Sequence, residues 1–355
     1  MTAGDETRRE GSDNQAVRES LERWLEDRIP GSGPVRVGPL HKPGSGLSAG
    51  TLLFEATRDR GSDPGSHELV VRIPPPVEQG LFPKSDLARE VAIQNLLAAR
   101  GVPVAPVVGL ELDPTLLGGP FLVTRRVRGR LVDSSEPYLS AGWLHDSAPE
   151  LQRRLASGFM TVLADIHSSP IDDARSVRLF EPGDSGTRAA IDRWSSYLAW
   201  ADEGNAPDAL FEAHQWCMDN RPGDEPAETL LWGDVQLANA VFCDDGSTAA
   251  ILDFELSALG PAELDLGWFF CLHDMTVARC GEDLAGFADR AGLVAHYEER
   301  LGRGVADLVW YERFGAVCTA SILVRMSSLL SRAGTDARWL ARSNPALDYL
   351  ASRLE

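Results

Sequence analysis

The chain has 355 residues, enough for two domains of ordinary size. Hydrophobic residues make up 43% and charged residues 25%, the balance of a globular protein with a sizeable core. The formal net charge of −19 repels phosphate backbones, which argues against a nucleic-acid partner, and suits either a cationic substrate such as an amino sugar or simple solubility.

In chain order, residues 1–15 are polar and charged, lack the apolar core of a signal peptide, and are expected to be disordered. Val17, Leu21, Trp24, Leu25 and Ile29 recur at helical spacing until Pro30 and the Gly-Ser-Gly at 31–33. Residues 35–40, 51–57 and 68–73 read as strands, separated by linkers rich in Gly, Pro and Ser. A helix follows over about 85–100, and 120–127 reads as a further strand. After Gly129 the character changes. Leu151, Leu155, Phe159, Val162, Leu163 and Ile166 mark an amphipathic helix, and helices are expected over 191–201, 207–218 and most of 283–355. The apolar run Phe314–Val324, flanked by Arg313 and Arg325, is too short to span a bilayer and reads as a buried helix, so no membrane partner is expected. Cys217, Cys243, Cys271, Cys280 and Cys318 form no CxxC pair and are odd in number, which points to a reducing, cytoplasmic setting. The seven histidines show no ligand-like spacing, and His167 is expected to pack or cap.

The chemistry concentrates in residues 229–270. Asp234 and Asn239 stand as D-x-x-x-x-N, the spacing with which protein kinases place a carboxylate that accepts the substrate hydroxyl proton beside an amide that holds Mg²⁺. Two apolar runs, 240–242 and 250–252, flank Asp245-Gly246 and predict a hairpin. A turn there puts Asn239 opposite Leu252 and delivers Asn239 and Asp253 to one end of the ribbon. Two converging oxygen ligands suit Mg²⁺, which takes its other ligands from water and phosphate.

This segment resembles the signature of the aminoglycoside phosphotransferase and choline kinase family: an apolar pair, His-Gly-Asp, four residues, Asn, a hairpin, and an Asp followed by an aromatic and Glu. Asp253-Phe254-Glu255 fits, as does Gly260-Pro261-Ala262-Glu263-Leu264-Asp265-Leu266, with Ala262 in place of a Pro. The chain is most similar to the branch that includes the kinase-like part of acyl-CoA dehydrogenase fusion proteins and their bacterial stand-alone relatives. The resemblance implies an α+β, bilobal protein-kinase-like fold. The small β-rich N-lobe would span 16–124, the hinge 125–130 and the larger helical C-lobe 131–355, with the catalytic loop at 232–239 and the metal-binding hairpin at 239–255. It also implies that Asp234 is the catalytic base, that Asn239 and Asp253 hold Mg²⁺, and that Asp265 braces the loop. Two residues depart from the pattern: Trp232 stands where His is usual, and Arg72 where Lys is usual.

In the N-lobe, the Gly-rich loop 44–50 could cover phosphates, with Ser45, Gly46 and Ser48 as nucleotide contacts. Arg72 ends a strand, and Glu90 shares a helix face with Leu87, Ile93 and Leu97, so an Arg72–Glu90 ion pair is expected. Adenine is expected at 124–127, with Arg126 beside it. The expected activity is transfer of the γ-phosphate of Mg-ATP to a hydroxyl of a small molecule: an antibiotic, a sugar, a hydroxyacyl compound or a biosynthetic intermediate. The expected state is a monomer or homodimer. Trp194, Trp200, Trp216, Trp268 and Asp274 are candidate acceptor-lining residues, with core packing the favoured reading for most of the aromatics. The alternative is a kinase-like nucleotide-binding protein without phosphotransfer.

Overall fold

The computed structural model describes residues 3–43, 50–59, 64–133, 137–170, 179–180, 183–223, 226–287 and 289–353. Ser45, Gly46 and Ser48 of the Gly-rich loop lie outside the described residues. The chain divides into two compact units, one of residues 1–76, 86–95 and 105–127, the other of 77–85, 96–104 and 128–355.

The first unit is built on a five-stranded antiparallel sheet: β1 (Arg36–Val37), β2 (Thr51–Asp59), β3 (Pro64–Arg72), β4 (Val107–Glu111) and β5 (Phe121–Arg125), in the order β1-β2-β3-β5-β4. The linker before β2 ends at Gly50, whose φ is 98°; a Cβ there would sit 2.0 Å from the Ile73 carbonyl oxygen, so only glycine fits. Helix α1 (Ala3–Leu25) covers the sheet, burying Leu21, Trp24 and Leu25 against Phe54, Val71 and Phe121. The Trp24 and Phe121 rings meet edge to face at 5.0 Å, and the Trp24 indole donates to Glu111 at 3.0 Å. The backbone is helical from Ala3, where disorder was expected for 1–15. Helix α2 (Leu87–Ala99) buries Leu87, Ile93 and Leu97, as its stripe predicts.

In the second unit, strand β6 (Arg130–Leu131) pairs with β8 (Ala240–Phe242), which forms a hairpin with β9 (Thr248–Ile251). Strands β7 (Glu228–Leu231) and β10 (Ala258–Pro261) form a separate antiparallel ribbon. The helices are α3 (Gly142–His145), α4 (Pro149–His167), α5 (Gly186–Ala201), α6 (Asp208–Asp219), α7 (Glu263–Cys280), α8 (Arg290–Leu301), α9 (Leu308–Arg332) and α10 (Pro345–Ser352). Helix α9 extends the short apolar run read from the sequence to 25 residues and is by length and composition able to cross a membrane, yet it is mostly buried within this unit. All five cysteines are free thiols.

The unit boundary differs from the expected one in two segments. Residues 77–85 belong to the second unit because the buried Arg325 guanidinium donates to the carbonyls of Val77, Glu78 and Gly80, each at 3.1 Å, and the Tyr197 hydroxyl donates to the Leu81 carbonyl at 2.9 Å. Residues 96–104 do so because the Ile251 amide donates to the Pro103 carbonyl at 2.9 Å.

Candidate active site

Two ribbons position the segment. Strand β7 runs Thr229-Leu230-Leu231 into a buried core and delivers Trp232-Gly233-Asp234 at its end. Its partner β10 runs into α7, which begins two residues later and carries Asp265 in its first turn. Asp265, 2% exposed, then accepts from the Trp232 amide at 2.7 Å and the Gly233 amide at 3.0 Å. His167 at the end of α4 bonds the same carboxylate through Nε2 at 3.0 Å, and its Nδ1 meets the Tyr297 hydroxyl at 2.5 Å. The carboxylate can only accept, so Nε2 carries the proton and Nδ1 accepts from tyrosine. The expected brace at Asp265 and the packed His167 are thus parts of one buried chain.

Gly233 has φ 94°, and a Cβ there would lie 2.3 Å from the Leu256 carbonyl oxygen. The turn therefore needs glycine.

Asp234 is met by two amides. Gln236 Nε2 donates to both carboxylate oxygens, at 2.9 and 2.8 Å. Asn239 Nδ2 donates to Oδ2 at 2.7 Å and to the Asp234 carbonyl at 3.2 Å. Burial raises the Asp234 pKa to about 6, and the Asp253 charge adds to the rise. Gln236, Asn239 and Trp268 act the other way, favouring the ionised form. The buried Trp268 indole nitrogen has no hydrogen-bond partner within bonding distance, so Gln236 and Asn239 are the donors that hold the carboxylate.

The hairpin register matches the sequence expectation. The Leu252 amide donates to the Asn239 carbonyl at 2.8 Å, so Asn239 and Asp253 share one end of the ribbon. Asp253 has φ 62°, in the left-handed region that residues other than glycine visit uncommonly, aspartate more readily than most. The Asn239 amide nitrogen is committed to Asp234, which leaves its Oδ1 as the atom able to face a cation. Among the described residues no cluster of three or more His, Cys, Asp or Glu forms a closed metal cage. An Asn oxygen, an Asp carboxylate and the charge pressure between Asp234 and Asp253 instead fit Mg²⁺, which binds through one or two side chains plus phosphate oxygens.

Beside this loop the second unit holds a cavity of about 290 Å³. Val235, Gln236 and Leu237 form one wall, and Phe269, Leu272 and Leu323 make most of the rest apolar. Tyr138 and His273 also line it. The Tyr138 hydroxyl lies 2.6 Å from His273 Nδ1, and His273 Nε2 lies 2.9 Å from Asp283. The imidazole stacks between Phe269 and Phe287, at 6.0 and 5.8 Å. Asp283 again can only accept, so Tyr138 donates to His273 and its oxygen is left as an acceptor.

The tryptophans chosen as acceptor-lining residues do not line this cavity. Trp194 and Trp268 are buried against each other at 5.8 Å, Trp200 lies under Arg325 and Trp216 under Arg313. Asp274 pairs with Arg290 and Arg353. Aromatic identity alone does not tell which way a ring on an amphipathic helix faces. Gln236 was overlooked, although a polar residue two positions after Asp234 was a visible signal.

In the first unit, Arg72 Nη2 donates to Glu90 Oε1 and Oε2 at 2.6 and 2.5 Å, the ion pair the sequence predicts. Glu90 is 2% exposed. Arg126 is a surface residue that pairs with Glu68 at 3.7 Å, and its amide donates to the Glu68 carbonyl.

Residues 40–303 match the phosphotransferase enzyme family (APH). The chain is 27% identical over 259 residues to acyl-CoA dehydrogenase family member 11 of Homo sapiens, a match covering 70% of this chain but only 30% of that relative's length. It is similar in structure to a protein of Ralstonia eutropha JMP134 provisionally named an aminoglycoside phosphotransferase, with TM-score 0.69, 22% identity, and coverage of 94% of this chain and 98% of that one. It is also similar to the GDP complex of aminoglycoside 2'-phosphotransferase-IIIa, with TM-score 0.57, 15% identity, and coverage of 95% and 98%. These likenesses show an α+β protein-kinase-like fold, as the sequence implied. With three quarters of its length matching the family and its Asp234, Asn239 and Asp253 in order on one loop and hairpin, the chain belongs to the phosphotransferase enzyme family.

Proposed function

We propose that the protein transfers the γ-phosphoryl group of ATP to a hydroxyl of a small molecule bound in the cavity beside Asp234. The observation that carries this reading is the Asp234 carboxylate, raised to about pKa 6 by burial, next to a cavity walled by its own loop. The acceptor O–H attacks the γ-phosphorus, the bond to the β-phosphate oxygen breaks, and the hydroxyl proton passes to Asp234. The products are a phosphate ester and ADP. Asn239 and Asp253 would hold Mg²⁺, which offsets charge on the phosphates when bound. Gln236 and Asn239 keep Asp234 oriented and ionised near neutral pH. In the first unit, Arg72, held by Glu90, would contact nucleotide phosphate, Arg126 and the Gly-rich loop are further nucleotide contacts, and the free thiols suit the cytoplasm.

The cavity wall favours an acceptor with an apolar body. A polycationic amino sugar buried there needs several carboxylates, and among the described residues Asp133 is the one acidic residue on the wall. The test is ATP consumption with a panel of aminoglycosides, macrolides, sugars, choline-like alcohols and hydroxyacyl compounds, run beside Asp234→Ala. Acceptor-dependent turnover with an apolar-bodied alcohol, lost in the variant, is expected. Magnesium-dependent ATP binding without turnover on any acceptor would favour a binding protein instead.

A further inference from the structure

Trp232 occupies the node between the two halves of the site. Its ring is 1% exposed and sits 5.8 Å from Phe159. Its amide donates to Asp265, and its carbonyl accepts from the Ser257 hydroxyl at 3.0 Å. Its indole Nε1–H donates to the Leu252 carbonyl at 2.9 Å and the Asp253 carbonyl at 3.1 Å. One side chain therefore ties the strand that delivers Asp234 to the two peptide groups that flank Asp253. Those are the groups that must be held if Asp253 is to stay at φ 62°.

We propose that Trp232 is a positioning residue for Asp253: its indole N–H clamps the Leu252 and Asp253 carbonyls and so aims the Asp253 carboxylate. A bare aromatic plate would fill the same volume but would leave both carbonyls without this donor. The inference rests on the phosphotransferase reading for the part that concerns the metal, and on geometry alone for the part that concerns the backbone.

Two variants separate the donor from the plate. Trp232→Phe keeps the plate and removes the N–H; Trp232→His keeps a ring donor at a position where the family signature has histidine. The first readout is hydrogen exchange of the 252–254 amides in the metal-free full-length protein. The second is Mn²⁺ binding followed by electron paramagnetic resonance, with a non-hydrolysable ATP analogue present. The Phe variant is expected to exchange faster at 252–254 and to bind Mn²⁺ about tenfold more weakly, the size of effect seen when a residue that orients a metal ligand is lost, with the His variant recovering most of both. Unchanged exchange and unchanged Mn²⁺ affinity in Trp232→Phe would overturn the proposal. So would equal losses in both variants, which would make ring volume the cause. If the wild-type chain bound no Mn²⁺ with the nucleotide, the phosphotransferase reading would fail while the exchange data still decided the clamp. A thermal midpoint for each variant guards against simple unfolding.

Discussion

A single nitrogen of Arg72 reaches both carboxylate oxygens of Glu90, and Glu90 is the more deeply buried of the two. Removing Arg72 takes its bidentate ion-pair partner from a buried carboxylate, and Arg72→Ala is expected to lower stability by up to about 3–5 kcal/mol. The double variant Arg72→Met/Glu90→Leu removes both charges and should recover much of that loss. It should not recover nucleotide binding. Chemical denaturation and titration with an ATP analogue, made on the same preparations, check the two halves.

The pKa of Asp234 sets a pH dependence. The base must be ionised to take a proton, so kcat/KM for the acceptor should rise with pH through about 6 and level off above it. Gln236 donates to both Asp234 oxygens and favours the ionised form, so Gln236→Leu should move that limb to higher pH. A profile flat from pH 5 to 8, within the range where the fold is stable, would contradict the assignment of Asp234 as base.

Gly233→Ala places a methyl group where only 2.3 Å separates it from the Leu256 oxygen, at a φ that disfavours a side chain. The turn must shift or strain by about 1–3 kcal/mol. Expected results are a lower thermal midpoint and a fall in kcat that exceeds the change in KM, since Asp234 is the next residue.

Tyr138 lines the cavity and donates its hydroxyl to His273, which leaves the phenol oxygen able only to accept further hydrogen bonds. An acceptor with a second hydrogen-bond donor would use it. Tyr138→Phe should raise the acceptor KM by roughly fivefold to tenfold, about one neutral hydrogen bond, with kcat little changed. Steady-state kinetics with the acceptor found in the panel measures it.

What the sequence disclosed follows from range. The Asp245-Gly246 hairpin is local, so the pairing that brings Asn239 and Asp253 together could be read from spacing, as could the Arg72–Glu90 pair from a strand end and one helix stripe. The contacts that complete the site are not local. Asp265 reaches the Trp232 amide across 33 positions, and Tyr138 reaches His273 across 135. No periodicity encodes such pairings. The N-terminal stretch differs in another way: its composition is poor in helix formers, and the helical backbone from Ala3 has no signal in it.

Helix α9 packs its apolar surface against α7, α6 and α10. Anyone shortening this chain for expression should respect that dependence. A fragment that keeps α9 but loses its neighbours would carry an unpartnered apolar rod long enough to enter a bilayer, and it would go to detergent micelles or inclusion bodies.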